Sequence, residues 1–359
     1  MTKAETKGLL IGRKELLEAV EAVKPAIAGK EVIEACVHVF SDGEQLTAYN
    51  DNLAIQAPLA SKLKGGIRGT ILLGILANSR AKEVEIIVQA GGDGQEAEIK
   101  AGRTRLKLSL LPQDRDVFKP PSLGKGEGIG LSGAFLEALK QVLVSAGNGI
   151  DPPEQQGVTI IGDATQVHLF TTQDDKTVAW KSIERPKAWK EDLRITLPTF
   201  FVEQLIRLGD DKTKLFLSKE YAHALTGKGI KIYSKIVHVP KPIDFAKIAT
   251  AAMKETDPVA IPSRLRLALE RASVMLNGQN DEFMEITVKG DRLGIYAKCP
   301  HGELDDSMIM DKPLPPIECK LHPDLLKRAL EHCTKIGFAK SSIVMTGERF
   351  VYLAATAAL

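Results

Sequence analysis

At 359 residues, 44% hydrophobic and 26% charged, the chain has a globular make-up and exceeds the length over which one hydrophobic core keeps growing, so two or three domains are expected. A formal net charge of +2 leaves a polyanionic partner to be decided by where the cations lie, and aromatics at 5% disfavour a nucleic-acid reader that stacks bases. Cys36, Cys299, Cys319 and Cys333 form no disulfide framework, no apolar run reaches the roughly 18 residues of a membrane span, and MTKAETKGLLIG lacks a signal-peptide core, so a cytoplasmic setting is expected.

The first helical pattern is GRKELLEAVEAVKPAI, from Gly12. The alternating run EACVHVFSDGEQLTAYN follows, turning at Asp42-Gly43, and a second helix, LLGILANSRA, starts at Leu72. VEIIVQAGGDGQEAEIKAG turns at Gly92-Asp93-Gly94 and leads into AGRTRLKLSLLP, residues 101–112. Read with period two, that stretch sets Leu106, Leu108 and Leu110 on one face and Arg103, Arg105 and Lys107 on the other. The pattern by itself fits best an ordinary half-buried strand with a solvated face, and the alternative is an edge strand shaped for an acidic partner.

A proline- and glycine-bearing joint, KPPSLGKGEGIGL at 119–131, closes the first third. SGAFLEALKQVLVSAG from Ser132 and TFFVEQLIRLGD from Thr199 open on hydroxyl caps, with VTIIGDATQVHLFTTQ between them turning at Gly162-Asp163. KLFLSKEYAHALTGKGIKIYS adds strands, and KPIDFAKIATAAMKETDPVAIP at 241–262 reads as a second joint. The last third brings PSRLRLALERASVMLNG from Pro262, MEITVKGDRLGIYAK with a turn at Gly290-Asp291, HPDLLKRALEHCTKIG from His322 to Gly337, and SSIVMTGERFVYLAAT. Helix and hairpin thus recur with a period of about 120–130 residues, the mark of a repeated architecture. The expectation is an α+β protein of three like domains, 1–123, 124–253 and 254–359, with helices on one face of antiparallel sheets.

No catalytic constellation emerges. GIGLSG at 128–133 matches a dinucleotide fingerprint by letter but follows a joint where the fingerprint needs a buried strand, so it reads as a flexible link and a helix cap. CPH (Cys299, His301), CKLH (Cys319, His322) and HC (His332, Cys333) have zinc-binding atom types at spacings that match no usual zinc site. His168, His223 and His238 lack a nearby nucleophile in sequence, and the pairs Asp174-Asp175 and Asp305-Asp306 fall in turn-like contexts. No metal and no cofactor is expected. The helical segments and their flanks instead share a feature: Arg13, Lys14, Lys24, Arg80, Lys82, Lys140, Arg207, Arg264, Arg266, Arg271, Lys327 and Arg328. One helix at a time these are ordinary solvated faces; together they suggest a composite surface that binds phosphates without reading sequence.

RTRLKLSLLP, YNDNLAIQAPL, TTQDDKTVAWKSI and SKIVHVPKPIDFAKI, in this order and spacing, resemble the bacterial sliding clamp, the beta subunit of the replicative DNA polymerase. The likeness runs from about Leu10 to Tyr352. It implies a non-enzymatic processivity factor: a head-to-tail homodimeric ring, helices lining the hole and sheets outside, that encircles double-stranded DNA and tethers the replicative polymerase and the clamp loader. The strand RTRLKLSL would then be the edge that pairs with the third domain of the next copy, Leu106 and Leu108 packing on Val274 and Met275. From composition, Arg103, Arg105 and Lys107 are expected to face Glu303, Asp305 and Asp306.

The resemblance also implies a pocket for partner peptides at Thr159, Thr172, Asp174, Lys176, Val178, Pro242, Ile243, Ala246 and Lys247. Here the sequence departs from the family. Gln173-Asp174-Asp175-Lys176-Thr177 replaces the usual run, and VYLAATAAL reads as too short to supply the customary last strand. A pocket of altered specificity is expected, as in a clamp from a phage or other mobile element, acting on DNA in the host cytoplasm if viral. Two competing readings are a clamp-like partner-binding or decoy protein that does not encircle DNA, and an enzyme with a C-terminal metal site.

Overall fold

A computed structural model describes residues 8–61, 63–91, 94–112, 128–147, 152, 155–173, 176–186, 189, 193–239, 244–276 and 283–358. The chain begins β1 (Leu9–Gly12), α1 (Arg13–Val23), β2 (His38–Ser41), β3 (Gln45–Asn50), β4 (Leu53–Pro58) and β5 (Gly65–Arg68). It continues α2 (Gly69–Asn78), β6 (Glu83–Gly91), β7 (Gly94–Ala101) and β8 (Thr104–Leu110). The same order returns as β9 (Ile129–Gly130), α3 (Gly133–Val142), β10 (Gly157–Gly162), β11 (Gln166–Gln173), β12 (Thr177–Glu184) and β13 (Arg194–Pro198). Next come α4 (Thr199–Leu208), β14 (Lys214–Leu217), β15 (Tyr221–Leu225) and β16 (Lys231–Lys235). A linker helix α5 (Phe245–Lys254) precedes β17 (Val259–Ala260), α6 (Leu265–Met275), β18 (Met284–Cys299), β19 (Gly302–Leu321), α7 (Pro323–Ala329), β20 (Lys335–Phe338), β21 (Ser342–Gly347) and β22 (Phe350–Ala355).

All strand pairs between these elements are antiparallel. Two sheets have eight strands, in the orders β5-β2-β3-β4-β16-β15-β14-β9 and β13-β10-β11-β12-β22-β21-β20-β17. Each joins four strands from one stretch of the chain to four from a later one, at β4·β16 and at β12·β22. The remaining sheets are β1-β6-β7-β8 and the ribbon β18-β19. Two compact units result, Met1–Gly133 with Glu203–Ile236 and Ala134–Val202 with Val237–Leu359, so the strands of the middle third are shared between them.

The helices form where apolar residues recur at helical spacing. On α1, Leu16, Ala19, Val20 and Val23 are buried and the helix packs on β3 and β4. Each fully buried Leu or Val of this kind contributes about 1.5–3 kcal/mol. No helix among the described residues is long and apolar enough to cross a membrane.

Five local expectations are corrected. The link at 128–133 is not free: Ile129–Gly130 is strand β9, paired with β14. The helix from His322 ends at Ala329, and Lys335–Phe338 is a strand because Ile336 is buried in the sheet between β17 and β21. Gly290-Asp291 is no hairpin: β18 runs through it with bulges, Gly290 taking φ +66°, and the turn comes at Pro300-His301. The tail supplies a full last strand, β22, paired with both β21 and β12, and Ala357 adds a bridge to Lys320. The second joint contains the helix α5.

One buried group in the first unit has a pH consequence. His223 on β15 is 2% exposed, lies between the rings of Phe216 and Tyr233, and neither ring nitrogen has a hydrogen-bond partner among the described residues. Burial holds its pKa below the usual 6.5. The unfolded chain therefore takes up a proton that the folded chain refuses, so stability is complete above pH 6.5 and falls as pH drops below it, at up to about 1.4 kcal/mol per pH unit. His223→Phe should flatten this acid limb in urea titrations between pH 7.5 and 5. An unchanged limb would assign it to other groups.

Candidate functional site

Ten of the expected phosphate-binding cations fall into three groups, and the other two, Arg264 and Arg271, pair with Asp306. Two are committed to backbone: Arg13 Nη1 donates to Leu76 O at the end of α2 (2.8 Å), and Arg207 donates from Nη2 to Ala22 O (2.7 Å) and Nη1 to Glu21 O (3.2 Å) at the end of α1. Arg207 Nε also donates to Gln204 Oε1 (2.7 Å), and burial pulls its pKa down. These guanidiniums satisfy helix C-terminal carbonyls, which have no partner within their own helix. Arg207 is thus an exposed clasp on the end of α1, its guanidinium engaged by backbone carbonyls.

The second group sits in surface pairs: Lys14–Glu18 (3.8 Å), Arg266–Glu331 (3.7 Å), Lys327–Asp324 (3.1 Å) and Arg328 Nη1 to Gln173 Oε1 (3.1 Å). Such exposed contacts are each worth under about 1 kcal/mol and exchange readily for a phosphate. Lys24, Arg80, Lys82 and Lys140 are exposed and have no ion pair with another described residue. Arg80 and Lys82 lie beyond α2, which ends at Asn78 and itself carries no charge. On α1, Glu15, Glu18 and Glu21 offset Arg13 and Lys14, so the helices stand near charge balance.

β8 is an edge: residues 104–110 pair with β7 alone among the described residues. Its alternation is as expected, with Leu106 and Leu108 half-buried and Arg103, Arg105 and Lys107 exposed. The first half of β19 is likewise paired only with β18. Glu303 and Asp305 are exposed, and Glu303 Oε2 accepts from Tyr296 Oη (2.8 Å). Asp306 differs: its side chain is 11% exposed and held by Arg271 (3.0 Å) and Arg264 (3.5 Å) of the α6 region. One step along a strand reverses the face, so Asp306 points away from the face of Glu303 and Asp305 and its expected pairing with the cations of β8 is withdrawn. Val274 is 77% exposed at the end of α6, with Met275 beside it half-buried. Ile309 is 61% exposed on the face of Glu303 and Asp305, between buried Met308 and Met310.

Three of the expected peptide-pocket residues, Thr159, Thr172 and Val178, share one sheet face. The registers Thr159↔Phe170, Thr172↔Val178 and Val178↔Leu353 align Thr159, Thr172 and Val178 with Phe170, Trp180, Val351 and Leu353 across the β12·β22 joint. Thr159 and Thr196 hydroxyls bond at 2.9 Å, and Thr172 Oγ1 donates to Thr177 O (2.8 Å). Lys176 is exposed in the turn before β12; Ala246 and Lys247 lie on α5, half-buried and exposed. Asp174, Pro242 and Ile243 lie outside the described residues. α5 rests on this face: Phe245 stacks on Phe170 at 5.5 Å, and Ala249, Ala252 and Met253 pack with Val178, Trp180, Val344, Val351 and Leu353. The sequence signal for α5 was there, an Asp244 cap with apolar residues at 245, 249, 252 and 253, masked by the prolines around it.

Antiparallel pairing also gives His168 neighbours that its sequence context lacked. Its Nε2 meets Asp163 Oδ2 (2.9 Å), and its Nδ1 meets Ser182 Oγ (2.9 Å) and Trp180 Nε1 (3.3 Å). The indole can only donate, so Nδ1 is the acceptor and Nε2–H the donor to Asp163. The backbone N–H groups of Thr165 and Gln166, with His168, hold the Asp163 carboxyl well below the usual range. With Trp180 sharing the nitrogen that would activate Ser182, the trio braces the β10–β11 turn against β12. Burial pushes the Cys319 and Cys333 thiols up to about 11 and about 12, and Cys299 and His301 flank the β18–β19 turn. Among the described residues no three His, Cys, Asp or Glu side chains gather where a metal could be held.

No protein-family model matches the sequence, and no curated protein sequence matches it. Solved structures match along its full length. The DNA polymerase III beta subunit of Thermotoga maritima has a TM-score of 0.82 at 14% identity, covering 98% of this chain and 99% of that one. For the DNA polymerase III subunit beta of Pseudomonas aeruginosa the values are 0.80, 17%, 98% and 100%. For the DNA polymerase sliding clamp of Bacillus subtilis they are 0.81, 15%, 99% and 100%. Over nearly its whole length, this chain has the fold of the beta sliding clamp of bacterial DNA polymerase III.

Proposed function

We propose that the chain is a non-enzymatic processivity factor, two copies closing head to tail into a ring around double-stranded DNA. One observation carries this reading beyond the fold: the chain joins edge strands into eight-stranded sheets twice, at β4·β16 and β12·β22, and leaves β8 and the first half of β19 each paired on one side only among the described residues. Pairing β8 of one copy with β19 of the next repeats the same joint and removes two exposed edges that would otherwise invite aggregation. On this reading the three like domains are 1–123, 124–253 and 254–359. Leu106 and Leu108 meet Val274 and Met275, and Arg103, Arg105 and Lys107 face Glu303 and Asp305.

Near charge balance on the helices supports a hold by topology rather than affinity. Lys24, Arg80, Lys82 and Lys140, with the labile surface pairs, act on phosphates across a water layer, within a Debye length of about 8 Å. The replicative polymerase and the clamp loader bind through peptides at the β12·β22 face. The test is retention after incubation with nicked circular duplex at a concentration where subunits exchange. The protein should stay on circles through a high-salt wash and leave when a restriction enzyme opens them. Equal loss from circular and linear DNA would leave a partner-binding protein that does not encircle DNA.

A further inference from the structure

Helix α5 covers the sheet face largely with small side chains. The floor is Phe170, Val178, Trp180, Val344, Val351 and Leu353, whereas α5 contributes Phe245, Met253 and two alanines, Ala249 and Ala252. Only Phe245 and Ala249 are fully buried, and Ile248 stands 44% exposed. The helix is well tied just past its C-terminus. Lys312 pairs with Asp257 at 2.6 Å, and Thr256 and Pro258 press on Gly337 so closely that a Cβ there would meet Thr256 Cβ at 3.0 Å. Toward its start, the contacts among the described residues are the Phe245–Phe170 stack and the Asp244 carboxylate accepting from Lys247 N (3.0 Å), a bond internal to the helix.

Resting on the processivity-factor reading, we infer that α5 is a displaceable occupant of the partner site. It lifts from its Phe245 end about the Thr256–Pro258 tether, and a partner peptide bearing one aromatic and one aliphatic anchor takes the places of Phe245 on Phe170 and Met253 on the aliphatic floor. Occupancy by α5 lowers the apparent affinity for every such peptide by the fraction of time the face is open. It also keeps an apolar patch from water when no partner is bound.

Trp180 in the floor provides the readout. The chain has two tryptophans, and Trp189→Phe leaves Trp180 as sole reporter. The probe is a synthetic peptide of α5 itself, DFAKIATAAMKE, added to the full-length chain. Phe245→Ala with Met253→Ala should bind it about tenfold or more tighter than the chain with α5 intact, shifting Trp180 emission. In the chain without substitutions, amides of 248–253 should exchange about a hundredfold faster than those of β21 and β22. Equal binding by both chains, binding by neither, or α5 exchange as slow as β22 would make α5 a fixed wall and overturn the inference. The exchange measurement stands even if the double variant does not fold. Failure of the ring reading is scored separately, by dimer mass and DNA retention of the unsubstituted chain.

Discussion

A chain carrying Leu106→Asp should run at its monomer mass of 39.0 kDa by light scattering, at concentrations where the unsubstituted chain runs at twice that value. In the proposed joint, Leu106 passes from half-buried on a free edge to buried against Val274 and Met275. A carboxylate buried there without a partner costs about 3–5 kcal/mol. That is a loss of about two to four orders of magnitude in association. The folded chain itself should barely notice, because Leu106 is not fully buried within its own sheet and its backbone ladder to β7 is unaffected. A monomer with an unchanged urea midpoint, no longer retained on circular DNA, is the expected outcome. If the variant remains a dimer, β8 is not the joint and the association lies elsewhere.

Arg207→Met is expected to act in the opposite way, on stability rather than assembly. The substitution keeps much of the aliphatic stem but removes three donated hydrogen bonds, leaving Glu21 O and Ala22 O at the end of α1 without that donor. Bonds from a charged donor are worth about 1.5–3 kcal/mol each, and water reaching the partly open site recovers some of this, so a loss of about 2–4 kcal/mol follows. In urea the midpoint should fall with little change in slope. If stability is unchanged while retention on DNA drops, Arg207 belongs with the phosphate-facing cations, as its place on a helix surface first implied.

Much of the architecture was legible because it is local. Period-two alternation marked β8 down to the side on which each leucine and cation would fall, and Asp42-Gly43 and Gly162-Asp163 marked real turns. Helices from Thr199 and near Ser132 started where hydroxyl caps or small residues allow. The misreadings share a cause. KIGF continued the helical letters of α7, yet burial of Ile336 between two strands made it β20. Gly290-Asp291 carries the letters of a hairpin turn, but β19 pairs along the whole of β18 and converts it into a bulge. Asp306 looked like a surface charge until packing brought it two arginines, and Arg207 stays exposed while packing brings it helix-end carbonyls.

The amino-acid sequence by itself determined where helices and strands begin, which side of each is apolar, and that the pattern recurs along the chain, because these depend on neighbours within a few residues. Only the tertiary structure decided which strand edges meet, that α5 lies on the face proposed for partners, and which cations remain unpaired. Those outcomes depend on contacts between residues far apart in sequence, where each backbone edge can pair with many others and burial of a whole face selects the one formed.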